Sequence, residues 1–242
     1  MRPFAIALSA SLAALALATA AEDRPKNLRI CVQFIEVPHP VLTELMAATD
    51  TSGPVLHDKA LALAKDGTVK LLETCVVMGR SGQKATVESI RELIYPTEYE
   101  PPGPWPPVPA PALGQATQTP PKKPLIRPNF GNAFETRNVG STLEIEPSLD
   151  ATGRMIDLRF VPEILQLVRM DTFMEHIDQW GDASIRMPVF ETSRLNTSVT
   201  LMAGQFEMVG AITPKPNTPG PAVTRKLLVF VRADILPVPS QP

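Results

Sequence analysis

From Thr142 to Val161 the chain alternates apolar and charged residues with a period of two, on both sides of a tight-turn sequence. Leu143 and Ile145 alternate with Glu144 and Glu146; Ile156, Leu158 and Phe160 alternate with Asp157 and Arg159; Asp150-Ala151-Thr152-Gly153 lies between them. This pattern predicts an antiparallel hairpin with one face in a core and one in water. A two-stranded hairpin does not hold its own apolar face, so the rest of the chain must supply a second layer.

Further strand-like runs are available for that layer. Leu28 to Val37 and Val69 to Met78 are rich in Ile, Val and Leu, and between them lie two stretches with helical spacing. The first carries Leu42, Leu45 and Met46 after Pro40, a residue suited to a helix's first turn; the second runs from Leu56 to Ala64 and stops at Asp66-Gly67. Gln83 to Tyr95, Val189 to Leu201, Gln205 to Ile212 and Lys226 to Ile235 read as strands, whereas Leu165 to Ile185 has no clear period and reads as a short edge strand and a loop. The expected fold class is therefore α+β, mostly β, with antiparallel hairpins and two short helices near the N-terminus. Pro96 to Pro128 contains 12 prolines, which remove the N–H groups a ladder needs, and it reads as a mobile, polyproline-like insert. The expected organisation is 28–95 and 129–236 as two parts of one domain, separated by the insert at 96–128.

Arg2, an apolar run from Phe4 to Ala18 and then Ala18-Thr19-Ala20-Ala21 have the layout of a secretory signal peptide, so residues 1–21 are expected to be removed. The run is shorter than the roughly 20 residues a spanning helix needs. With a net charge of -2 the chain has no basic stripe, which excludes nucleic acid as a natural partner. Cys31 and Cys75 are the only cysteines. Export leaves two readings open for them, a disulfide that would contribute about 4 kcal/mol by closing its loop, or two free thiols packed as small apolar groups.

Nothing in the sequence supports an enzyme, a metal site or a cofactor site. His39, His57 and His176 are scattered, with no His-x-x-x-His or paired-cysteine spacing and no phosphate-cradling glycine loop. His176-x-Asp178 lacks a nucleophile elbow, and Glu144 with Glu146 is the ordinary charged face of a strand.

Three blocks carry a resemblance. Ser81-Gly82-Gln83-Lys84-Ala85 with the strand to Tyr99, Phe134 to Gly140, and Gly204-Gln205 before a strand ending near Gly210 are similar, in order and wording, to the C-terminal secretin domain of bacterial type II and type III secretion systems. The resemblance implies a β-rich ring whose subunits pool strands into a double-walled barrel in the outer membrane, with no active site. Mapped here, it makes Ser81-Gly82-Gln83 a strand-connecting turn, Asn138-Val139-Gly140 the opening of a long hairpin, and Gly204-Gln205 the tip of a final hairpin. It also implies a homo-oligomer associated with the outer membrane. The alternative is a soluble periplasmic or surface interaction module that keeps this core and meets a protein partner through the Pro-rich segment around Trp105-Pro106-Pro107.

Overall fold

The computed structural model describes residues 26–100, 103–105, 125–127, 130–178, 181–182, 184–215 and 224–237. The expected signal peptide and most of the Pro-rich insert lie outside them. Among these described residues thirteen strands and two helices follow in the order β1 (Asn27–Pro38), α1 (His39–Ala47), α2 (Gly53–Lys65), β2 (Lys70–Arg80), β3 (Ala85–Glu100), β4 (Gly103–Trp105), β5 (Leu125–Arg127), β6 (Phe130–Leu149), β7 (Met155–Met174), β8 (Ile177–Asp178), β9 (Gly181–Asp182), β10 (Ile185–Arg194), β11 (Thr197–Met202), β12 (Phe206–Ile212) and β13 (Arg225–Leu236). The mostly β fold class with two short helices is as expected.

The first sheet has the order β12-β13-β1-β2, all antiparallel. Its centre is the pairing of β1 with β13, from Asn27 opposite Leu236 to Pro38 opposite Arg225. Leu227-Leu228-Val229-Phe230-Val231 is buried along its whole length. A continuous apolar run of this kind belongs to a strand covered on both sides. Leu28, Ile30, Val32, Phe34, Leu227, Val229 and Val231 face the second sheet. Ile35, Val37, Leu228 and Phe230 face the helices, where Leu45, Leu56 and Ala60 meet them. Each fully buried side chain of this size contributes about 1.5–3 kcal/mol.

The helices are placed by local chemistry as well as by that core. Each has a proline in its first turn, Pro40 and Pro54, where a missing N–H costs nothing. α2 ends where Gly67, at φ 77°, donates its N–H to the Ala64 carbonyl.

The second sheet has the order β10-β7-β6-β3, with β11 also on β7. The hairpin legible in the sequence is its core: Leu143 and Ile145 on β6 and Ile156, Leu158 and Phe160 on β7 are 0–1% exposed. Both of its strands are longer than expected, at 20 residues each. β7 runs through Leu165 to Met174, part of the stretch expected to hold a short edge strand and a loop, because β10 pairs with it from Arg194 opposite Glu163 to Ile185 opposite Met174. The single strand expected from Val189 to Leu201 is split into β10 and β11 around Pro162. There Leu195 leaves the ladder and donates its N–H to the Pro162 carbonyl.

Two further expectations need correction. β3 does not stop at Pro96 but pairs with β6 as far as Glu100 opposite Phe130, with the register shifting at Pro96/Glu98 and again at Glu98/Tyr99. A bulged edge strand is the place in a sheet where proline is tolerated. Part of the stretch expected to be insert is thus ladder, and β4 pairs with β5 within it. Gly204-Gln205, implied to be a hairpin tip, joins strands that do not pair with each other, for β11 lies in the second sheet and β12 in the first. It is a crossing between layers.

Candidate functional site

The two ends of the sandwich differ. At one end the turns are tied to one another. Gly82 (φ 78°) joins β2 of the first sheet to β3 of the second, and its N–H reaches the Pro147 carbonyl at 2.8 Å. Ser81 Oγ accepts the Leu149 N–H at 3.0 Å. Gly204 (φ 84°) donates to Ala233, and Ala203 to Arg154. Gln83 and Gln205 each close a turn, with N–H groups bonded to Arg80 and Met202. Gly210 sits in β12 where the register shifts, and a Cβ there would make ordinary contact with Leu195 at 3.5 Å.

Asp150 organises the β6–β7 turn. Its carboxylate accepts the Thr152 hydroxyl and the N–H groups of Met155 and Arg154, and these bonds, Thr152's first, hold its pKa down to about 2. A depressed carboxyl stabilises the fold fully above its unfolded pKa of about 3.9, and that contribution is lost as pH falls toward the folded value. Asp150→Asn is therefore expected to lower the melting temperature at pH 7 and to flatten its decline between about pH 4 and 2. Thermal unfolding of both proteins across that range checks this.

The other end is forked. β6 and β7 pair only from Leu149 opposite Ile156 to Gly140 opposite Leu165. Beyond Gly140, β6 pairs with β3 alone, with Val139 opposite Arg91 and Asn138 opposite Glu92. β7 continues with β10 alone. Two ribbons, β3–β6 and β7–β10, thus leave the sandwich separately. Gly140 stands at the branch with φ 144°, and a Cβ there would fall 2.0 Å from the Ser89 carbonyl oxygen. Only glycine lets the two backbones approach this closely. Of the three residues Asn138-Val139-Gly140, Gly140 ends the β6–β7 ladder, and Asn138 and Val139 lie beyond it on β6, paired with β3 alone.

The ribbons carry side chains that a core would normally cover. Ile94 is 63% exposed, Phe134 60%, Met170 50% and Phe173 77%. Among the described residues, no strand pairs with β3 on its side away from β6, or with β10 on its side away from β7. These two edges nevertheless touch. The Tyr95 and Phe190 rings lie 5.7 Å apart, and the Tyr99 hydroxyl donates to the Arg186 carbonyl at 3.1 Å. Sequence reasoning did not find this contact; the signal was Pro96, whose bulge lies between the two tyrosines.

The remaining candidates are placed apart. Cys31 and Cys75 are free. Cys75 is opposite Val32 and Cys31 opposite Val76, so they differ by one register step and point to opposite faces of the first sheet. Burial pushes both thiols up. His57 is buried on α2, stacked on Phe206 at 3.7 Å and within 2.7 Å of Gln33 Oε1, and burial pushes its pKa down. His39 opens α1, and His176 follows β7. Among the described residues no group of three His, Cys, Asp or Glu is placed to hold a metal ion, and no helix is long and apolar enough to cross a membrane.

No protein-family model and no curated protein matches the chain. Solved structures do match. The type II secretion system secretin GspD of Escherichia coli is similar over 94% of this chain and 54% of its own, at 12% identity and a TM-score of 0.43. The InvG secretin-domain β-barrel of the Salmonella injectisome is similar over 93% of this chain and 67% of its own, at 10% identity and a TM-score of 0.44. ExeD of Aeromonas hydrophila is similar over 93% of this chain and 52% of its own, at 15% identity and a TM-score of 0.41. The chain spans about half the length of the first of these.

Proposed function

We propose that this chain is an exported, non-catalytic secretin-like subunit that forms homo-oligomers at the outer membrane and takes part in protein secretion. The observation that carries the reading is that the two edges of the second sheet have no outer ladder partner among the described residues. β3 and β10 run in opposite directions at the two ends of the order β10-β7-β6-β3, so β3 of one copy meets β10 of the next in antiparallel sense. Unpaired edges of this length are templates for another chain. A contact between two different edges repeats head to tail and forms a ring when the rotation from copy to copy closes. The first sheet has the same property, with β12 and β2 as its opposite-running edges, so both layers extend together.

Strand number supports pooling. The two main sheets have four and five strands, and neither reaches the roughly 8 of the smallest closed membrane barrels, so a pore requires several copies. The sequence blocks around Ser81, Asn138 and Gly204 point to the same family. Export rests on the leader-like first 21 residues, and the absence of catalysis rests on the scattering of the histidines.

Mass measurement of the mature protein, with and without detergent, tests the proposal. The expected result is a discrete multimer in detergent. A monomer in both conditions overturns it and leaves the soluble periplasmic or surface module, with the Pro-rich segment as the place to seek a protein partner.

A further inference from the structure

We infer that the isolated subunit holds itself closed: the β3 edge and the β10 edge are latched to each other, and the latch must open before either edge accepts a strand from another copy. The inference rests on the assembly reading above but concerns a different property, the state of the edges before assembly.

The geometry begins at Pro96. β3 pairs regularly with β6 from Ala85 to Pro96, and then the register shifts twice within three residues, at Pro96/Glu98 and at Glu98/Tyr99. A bulge bends its strand and re-aims the side chains that follow it. Tyr95, before the bulge, is anchored on its own ribbon by donating its hydroxyl to Glu135 Oε2 at 2.9 Å, and its ring meets Phe190 of β10 at 5.7 Å and 52°. Tyr99, after the bulge, donates its hydroxyl to the Arg186 carbonyl of β10 at 3.1 Å. Two contacts thus cross between edge strands that share no ladder hydrogen bond, one with an aromatic ring and one with a backbone acceptor. β3 and β10 are also the two ends of the sheet's strand order, and a sheet whose ends touch cannot be extended at either.

The latch is weak by construction. One tilted aromatic pair and one exposed hydrogen bond together favour the closed state by roughly ten- to a hundredfold, enough to delay edge pairing and little enough for a partner strand to displace. A partner's β10 laid along β3 replaces these two contacts with a full ladder.

The test compares the mature wild-type protein with Tyr99→Phe, which removes only the hydroxyl, and with Tyr99→Phe/Phe190→Ala. Amide exchange is read on the dilute monomer in peptides covering 96–100 and 185–190, and assembly is followed by time-resolved light scattering in detergent. The expected result is exchange about tenfold faster at those two segments in the double variant, with the 142–161 hairpin unchanged, and a half-time of assembly shortened by about the same factor. Tyr99→Phe should fall between wild type and the double variant. Unchanged exchange at both segments overturns the latch. Faster exchange with an equal or longer assembly half-time overturns its role in restraining assembly. A wild-type chain that never assembles removes the oligomer reading instead, and the exchange measurement then decides by itself whether the edges are latched.

Discussion

Replacing Phe160 by Asp is expected to unfold the protein. Phe160 is 1% exposed, lies opposite Ile145 on β6 and Thr197 on β11, and belongs to the core that joins the two sheets. A carboxylate there has no partner, and burying it costs several kcal/mol beyond the lost apolar contacts, which is most of the roughly 5–15 kcal/mol of a whole domain. Leu143, Ile145 and Leu158 share that face, and each should respond to Asp in the same way. The opposite face should not. Glu144 and Lys84 form an ion pair at 2.7 Å, with side chains 44% and 59% exposed, and pairs so exposed contribute about 1 kcal/mol at most. Glu144→Ser and Arg159→Ser are thus expected to shift the urea midpoint only slightly, while Phe160→Asp shows no cooperative transition by circular dichroism. Equal tolerance on both faces would mean that the hairpin register is wrong.

Gly140→Ala is expected to be the costliest single-methyl change in the second sheet. The added Cβ would lie 2.0 Å from the Ser89 carbonyl oxygen and 2.9 Å from Ile90 Cα, both backbone atoms of β3, so no side-chain rotation relieves the overlap. Its φ of 144° adds strain for any residue with a Cβ. Overpacking and backbone strain each cost about 1–3 kcal/mol, so a loss of roughly 2–5 kcal/mol is expected. Gly82→Ala and Gly204→Ala are the controls. Both have positive φ, but a Cβ at either meets nothing within 4 Å, so they carry only the left-handed penalty of roughly 1–2 kcal/mol. Urea unfolding of the three variants ranks them. Gly140→Ala no worse than the other two would show that β3 yields freely at the branch.

The parts of this fold legible in the sequence are those whose pattern depends only on local exposure. The 142–161 hairpin announces itself because one face is dry and the other wet. The run from Leu227 to Val231 announces a strand because both faces are dry. Partner choice left no such trace. The turn at Gly204 demands a positive φ whether its flanking strands pair with each other or part into different sheets, so local chemistry could not separate a hairpin tip from a crossing. Leu165 to Met174 shows no period because no core covers its ribbon, and the ladder with β10 alone makes it a strand. Pro96 misled in the other direction: proline stops a central strand, but β3 is an edge, and there it makes a bulge.

The pairing of β1 with β13 also sets the order in which the molecule comes into being. Arg29 and Asp234, bonded at 2.9 Å, are 205 residues apart in the chain. β13, the last of the described strands, contributes to both cores, so neither is complete until that strand has been delivered. Contacts of such long range make folding slow and leave unpaired strands exposed in the meantime. The strand at the centre of the first sheet, β1, is thus made early and waits for the partner made last, so the seam that holds the two cores together is the final one to be sewn.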